Sequence, residues 1–124
     1  MKRLLAFTAL IEAATGLALM AAPTVAVRLL LGGDISGASI PLGRVAGLSL
    51  LSLVIACWPG RDPIRNTAAA LRAMLTYNSL VTLYLLYLGI CGEWVGLLLW
   101  PAVALHGILS LLLVRQWRLG DMAQ

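Results

Sequence analysis

The sequence predicts an all-α protein, an integral membrane four-helix up-down bundle with a short interfacial helix after the first span. Three observations predict it. Hydrophobic residues fill 61% of the 124 positions and charged residues only 11%, far below the roughly 25% charged of a soluble domain. Four apolar stretches are long enough to cross a hydrocarbon layer. The connections between them are short, which makes consecutive helices antiparallel neighbours. A single transmembrane domain over 1–124 is expected, because no hydrophilic stretch could build a second one.

The first span runs over about 4–22. Lys2, Arg3 and the small residues Ala21 and Ala22 imitate a secretory signal. Glu12 in the middle of the apolar run speaks for a retained helix instead. Pro23 suits the first turn of a new helix, since it fixes φ and its missing amide proton is not needed there. A short interfacial helix over about 24–31 follows, stopped by Gly32 and Gly33. Its Arg28 stands among Val25, Val27 and Leu29, a composition that suits headgroup level.

The second span covers about 41–58. Pro59-Gly60-Arg61-Asp62-Pro63 is a turn signal. The third covers about 68–90, Cys91-Gly92-Glu93 is a tight connection, and the fourth covers about 94–114. Residues 115–124 form a polar tail. Pro101, in the first turns of the fourth span, is expected to bend it only locally.

Basic residues set the expected orientation. Lys2, Arg3, Arg61, Arg65, Arg72, Arg115 and Arg118 fall on one side, and Arg28 and Arg44 on the other. This predicts a multi-pass protein of a bacterial-type inner (plasma) membrane with both termini cytoplasmic. Trp58 and Trp117 then belong to the inner interface, and Trp94 and Trp100 to the outer one, where an indole ring is buried and its N–H stays wet. The formal charge of +4 is explained by this topology. No basic face with interleaved aromatics points to nucleic acid.

Lipid is as apolar as leucine, so helices in it associate by close packing and small residues permit that. Gly43 and Gly47 make one G-x-x-x-G step in the second span, and Gly92 and Gly96 make another at the start of the fourth. Intramolecular packing explains such steps. A homodimer or a larger membrane complex explains them too.

Polar residues inside spans are costly and need partners. At ~1.5 Å per residue, Glu12, Asn78 and His106 lie roughly 12, 15 and 12 Å from the cytoplasmic ends of their spans. They therefore share a level. Arg44 starts roughly 5 Å inside the opposite end and can reach headgroups or Glu12. Thr15 lies on the stripe of Glu12, while Tyr77, Tyr84 and Tyr87 add hydroxyls to the third span. These stripes are expected to point inward, because lipid offers no hydrogen bonds. The expected polar core is Glu12, Arg44, Asn78, His106, Tyr77 and Thr15, with Glu12 and Arg44 as an ion pair. It serves as a clasp fixing helix order, as a ligand or proton site, or as a contact to a partner subunit.

Classic hydrolytic chemistry finds no support. No serine, histidine and acid arrangement, no paired carboxylates and no phosphate loop are readable. An acid–base pair of Glu12 and His106 acting on a lipid is the enzymatic reading left. Cys57, Cys91 and one histidine lack metal-site spacing. A single histidine cannot give two axial haem ligands within one chain.

Ile11-Glu12-Ala13-Ala14-Thr15-Gly16-Leu17, then Pro23 and Leu29-Leu30-Leu31-Gly32, resembles the opening of small DoxX-like membrane proteins. The Gly43-Arg44-Val45-Ala46-Gly47 start of the second span is similar as well. The resemblance implies a four-helix inner-membrane bundle. It points to an accessory subunit or a binder of a lipophilic molecule such as a quinone, and carries over no catalytic residues. Glu12 followed by Gly16 is also similar to the first helix of small multidrug-resistance transporters, whose glutamates exchange protons for lipophilic cations. The third span lacks the aromatic and glycine-rich pattern of those proteins, and the charge bias opposes dual topology.

Overall fold

A computed structural model describes residues 2–58 and 65–121 as five helices. The helices are α1 (Lys2–Ala21), α2 (Pro23–Leu31), α3 (Ser39–Cys57), α4 (Arg65–Cys91) and α5 (Leu99–Asp121). Four of them are long and apolar enough to cross a membrane. The expected turn at Pro59–Pro63 lies outside the described residues, as do Met1 and residues 122–124.

The four long helices run alternately up and down. One end of the bundle gathers Leu5 at the start of α1 and Val54 and Cys57 at the end of α3. Leu71 and Met74 from the start of α4 and Leu113 near the end of α5 join them in one buried cluster. We call this the near end. At the far end, α2 and the α4–α5 connection meet. The helices pair as α1 with α3 and α4 with α5, with a looser seam between the pairs.

Small residues explain the first pairing. A Cβ on Gly47 would lie 2.6 Å from the Gly16 carbonyl oxygen and 2.9 Å from the Met20 nitrogen. Only a glycine lets these backbones approach so closely. One turn further, Gly43 sits against the Pro23 ring.

α2 begins on Pro23, whose side is buried, and turns Arg28 outward. It ends at Gly32, whose φ of 76° permits the left-handed cap and whose N–H donates to the Arg28 carbonyl at 2.8 Å. Gly92 ends α4 in the same way, with φ 75° and a bond to the Leu88 carbonyl.

The fourth long helix departs from expectation at both ends. It starts at Leu99 rather than near Trp94, and it continues to Asp121 through most of the expected polar tail. The first difference has a main-chain cause. Gly96 N–H donates to the Leu30 carbonyl (3.1 Å) and Leu98 N–H to the Leu29 carbonyl (2.8 Å). The segment thus spends its amides on the orphan carbonyls at the end of α2, which must find partners somewhere. Gly92 and Gly96 are consequently a helix cap and a strap residue, not a helix-packing step. Pro101 becomes the third residue of α5, where its missing N–H costs nothing. Pro41 holds the same place in α3.

The second difference comes with a side-chain contact. In the added turns the guanidinium carbon of Arg72 lies over the Trp117 ring, 5.8 Å from its centroid, a cation–π contact between the near ends of α4 and α5. Cys57 is buried and Cys91 exposed, at opposite ends, and both are free thiols.

Candidate functional site: a buried carboxyl on the seam

Periodicity along α1 places Thr8, Glu12 and Gly16 on one face, and all three are buried. Gly16 faces α3. Glu12, a turn closer to the near end, looks across the seam at α4 and α5. Those helices bring Asn78 and His106 to meet it, and Asn78, like Glu12, is wholly buried. The level shared by Glu12, Asn78 and His106 in the sequence is therefore a real meeting point in the fold.

The hydrogen bonds have a clear direction. Asn78 donates its amide to the Met74 carbonyl of its own helix at 2.9 Å. That leaves Asn78 Oδ1 facing His106 Nδ1 at 2.8 Å. An acceptor at this place requires the proton on Nδ1. His106 therefore donates to Asn78, and its Nε2 is left as the basic nitrogen of the neutral ring. Nδ1 is also 3.6 Å from Glu12 Oε1, beyond a proper hydrogen bond. Tyr77 is half-buried, sets its ring edge-on to the imidazole at 6.2 Å between centroids, and brings its hydroxyl to the neighbourhood of Glu12 without a hydrogen bond.

Both carboxyl oxygens of Glu12 are buried and neither has a hydrogen-bond partner. Three hydroxyls of the seam helices are bound elsewhere, which leaves Tyr77 as the hydroxyl beside the carboxyl. Thr8 donates to the Leu4 carbonyl, Thr82 to the Asn78 carbonyl, and Ser110 to the His106 carbonyl. Ser79 and Ser110 add a long contact of 3.5 Å between α4 and α5.

Two expected members of the polar core stand apart. Thr15 is half-buried, and its hydroxyl returns to the Ile11 carbonyl at 3.1 Å. Arg44 is exposed and forms no ion pair with Glu12. The glycine crossing gives the reason. Glu12 lies four residues below Gly16 and Arg44 three residues above its partner Gly47, an axial offset of about 10 Å. An arginine so placed lowers its energy by reaching outward. Tyr84 and Tyr87 are also exposed rather than turned inward.

Sequence reasoning missed a second feature. At the far end, a groove of about 380 Å³ opens between α2, the α2–α3 loop, α4 and Trp94. Its parts come from four separate stretches of chain, so no periodicity announces it. The chain's charged interfacial segment was the available signal. Among the described residues, no group of His, Cys, Asp and Glu is arranged to hold a metal ion.

Searches against family models, curated proteins and solved structures find nothing similar to this chain.

Proposed function

We propose that this chain is a DoxX-like, multi-pass protein of a bacterial-type inner membrane, with both termini cytoplasmic. It binds a lipophilic small molecule such as a quinone, alone or as the accessory subunit of a larger membrane complex. The observation that carries this reading is the Glu12 carboxyl, buried on the seam with both oxygens unpaired. A carboxylate without a hydrogen-bond partner inside a protein is expensive, so the group calls for a proton or for a further donor. A carboxylic acid here donates to a carbonyl oxygen of a bound ring, and Tyr77 stands ready as a second donor. Four long apolar helices support the membrane placement, and the clustering of basic residues at the near end supports the orientation.

Purification in mild detergent followed by solvent extraction tests the reading. Retained quinone, or a titration in which a short-chain quinone binds, is expected. Glu12→Gln keeps a donor but loses the acid and weakens binding about tenfold, the size of one hydrogen bond to a charged or strongly polar group. Arg44→Ala leaves binding unchanged. Purified protein with no bound molecule, no affinity for quinones and no co-purifying partner sinks it.

A second reading is proton-coupled transport, favoured by the 3.6 Å approach of His106 to an otherwise unpartnered Glu12. It requires lipophilic cations to bind in a pH-dependent way and to release a proton that Glu12→Gln abolishes. Binding that ignores pH ends it.

A further inference from the structure

The far-end groove has the features of a lipid headgroup site. Val27, Leu31 and Leu88 give it apolar walls, closed at one side by Trp94. The half-exposed Trp94 packs its ring on Gly33, where any side chain would collide with it. The α2 wall is fixed through the two main-chain bonds from Gly96 and Leu98. A groove whose walls are held from behind is preorganised, which lowers the cost of binding.

The polar rim consists of Asp34, Ser36, Ser39 and Tyr84. The hydroxyls of Ser36, Ser39 and Tyr84 make no hydrogen bond among the described residues. Asp34 is engaged from one side only. Arg28 Nε–H donates to Asp34 Oδ1 at 2.6 Å, and Arg28 Nη2 reaches the same oxygen. The second carboxylate oxygen, Oδ2, stays open. The pair is two-thirds exposed, and such surface pairs are weak and readily exchanged.

From this rim we propose that the groove binds a zwitterionic phospholipid whose head carries a primary ammonium, as in phosphatidylethanolamine. The ammonium has three N–H donors, matched by Asp34 Oδ2 and the serine hydroxyls. The phosphate takes the outward N–H groups of Arg28, in the bidentate manner guanidinium favours. The acyl chains leave along Val27, Leu31 and Leu88. A head with a quaternary ammonium has no N–H to give. An anionic head offers Arg28 a phosphate but meets Asp34 without compensation. The proposal rests on the membrane placement above, but not on what occupies the Glu12 group.

Native mass spectrometry of the full chain tests it, in mild detergent with equal amounts of phosphatidylethanolamine, phosphatidylcholine and phosphatidylglycerol of matched acyl chains. One phosphatidylethanolamine is expected to be retained about tenfold over the others, the factor one charge-assisted hydrogen bond confers. Asp34→Asn removes the preference while leaving the thermal melt unchanged. Leu88→Trp fills the groove and removes retention of all three, and the exposed Leu97→Ala changes nothing. Equal retention of the three lipids by the native chain, or a preference that survives Asp34→Asn, overturns the proposal and leaves the membrane placement intact. A chain that stays soluble without detergent overturns both.

Discussion

The near and far halves of this bundle are held together by different means. In the near half, side chains do the joining, with Leu5, Val54, Leu71, Met74 and Leu113 drawn from all four long helices into one cluster. In the far half, backbones touch. Gly47 lies on Gly16 and Gly96 on the last carbonyls of α2, and fewer apolar side chains, Leu85 and Leu99 among them, are buried there. The difference teaches where each half is vulnerable. A half built on side chains fails when atoms are removed, and a half built on backbone contact fails when atoms are added.

The most damaging break is therefore an addition. Gly47→Ala puts a methyl where only 2.6 Å separates it from the Gly16 oxygen, and the helices must part. A loss of about 3 kcal/mol is expected, at the upper end for overpacking, read by reversible unfolding in mixed micelles. The same methyl at Gly37, where nothing lies within 4 Å, costs only its backbone strain at φ 56°, about 1 kcal/mol.

Next comes a removal. Met74→Ala empties part of the near cluster, where Met74 is wholly buried, and costs about 2 kcal/mol. That is the low end for a core truncation. If Gly47→Ala proves milder than Met74→Ala, the contrast between the halves is wrong.

The smallest effect belongs to the boundary between the halves. A double-mutant cycle on Asn78 and His106, using alanine at both, is expected to give a coupling of about 1 kcal/mol. The value comes from the bond between Nδ1 and Oδ1. A coupling near zero would leave the polar level without a structural role.

Much of this arrangement was legible in the sequence. The existence and order of the helices followed from apolar length, and the shared depth of Glu12, Asn78 and His106 followed from rise per residue. Depth is a one-dimensional quantity that a sequence records. Azimuth is not, because it depends on which neighbour each face meets. For that reason the sequence suggests Arg44 as the partner of Glu12, while the glycine crossing separates them and gives the place to His106. The start of the fourth long helix is hidden from the sequence on similar grounds. Trp94, Val95 and Gly96 are apolar enough to extend a span, and only the carbonyls of a distant segment decide that they do not. Glu12 itself is the local rule-breaker, a buried acid whose oxygens accept no hydrogen bond, and such violations collect where a protein does its work.

The strap formed by Gly96 and Leu98 on α2 has a mechanical corollary. Its two hydrogen bonds run from amide to carbonyl, so sideways load on the surface-lying helix passes into the second hairpin through peptide groups alone. Alanine at Leu98 keeps the amide and registers no such linkage. Amide-to-ester replacement at Leu98, which deletes a single proton, is the alteration able to uncouple the two.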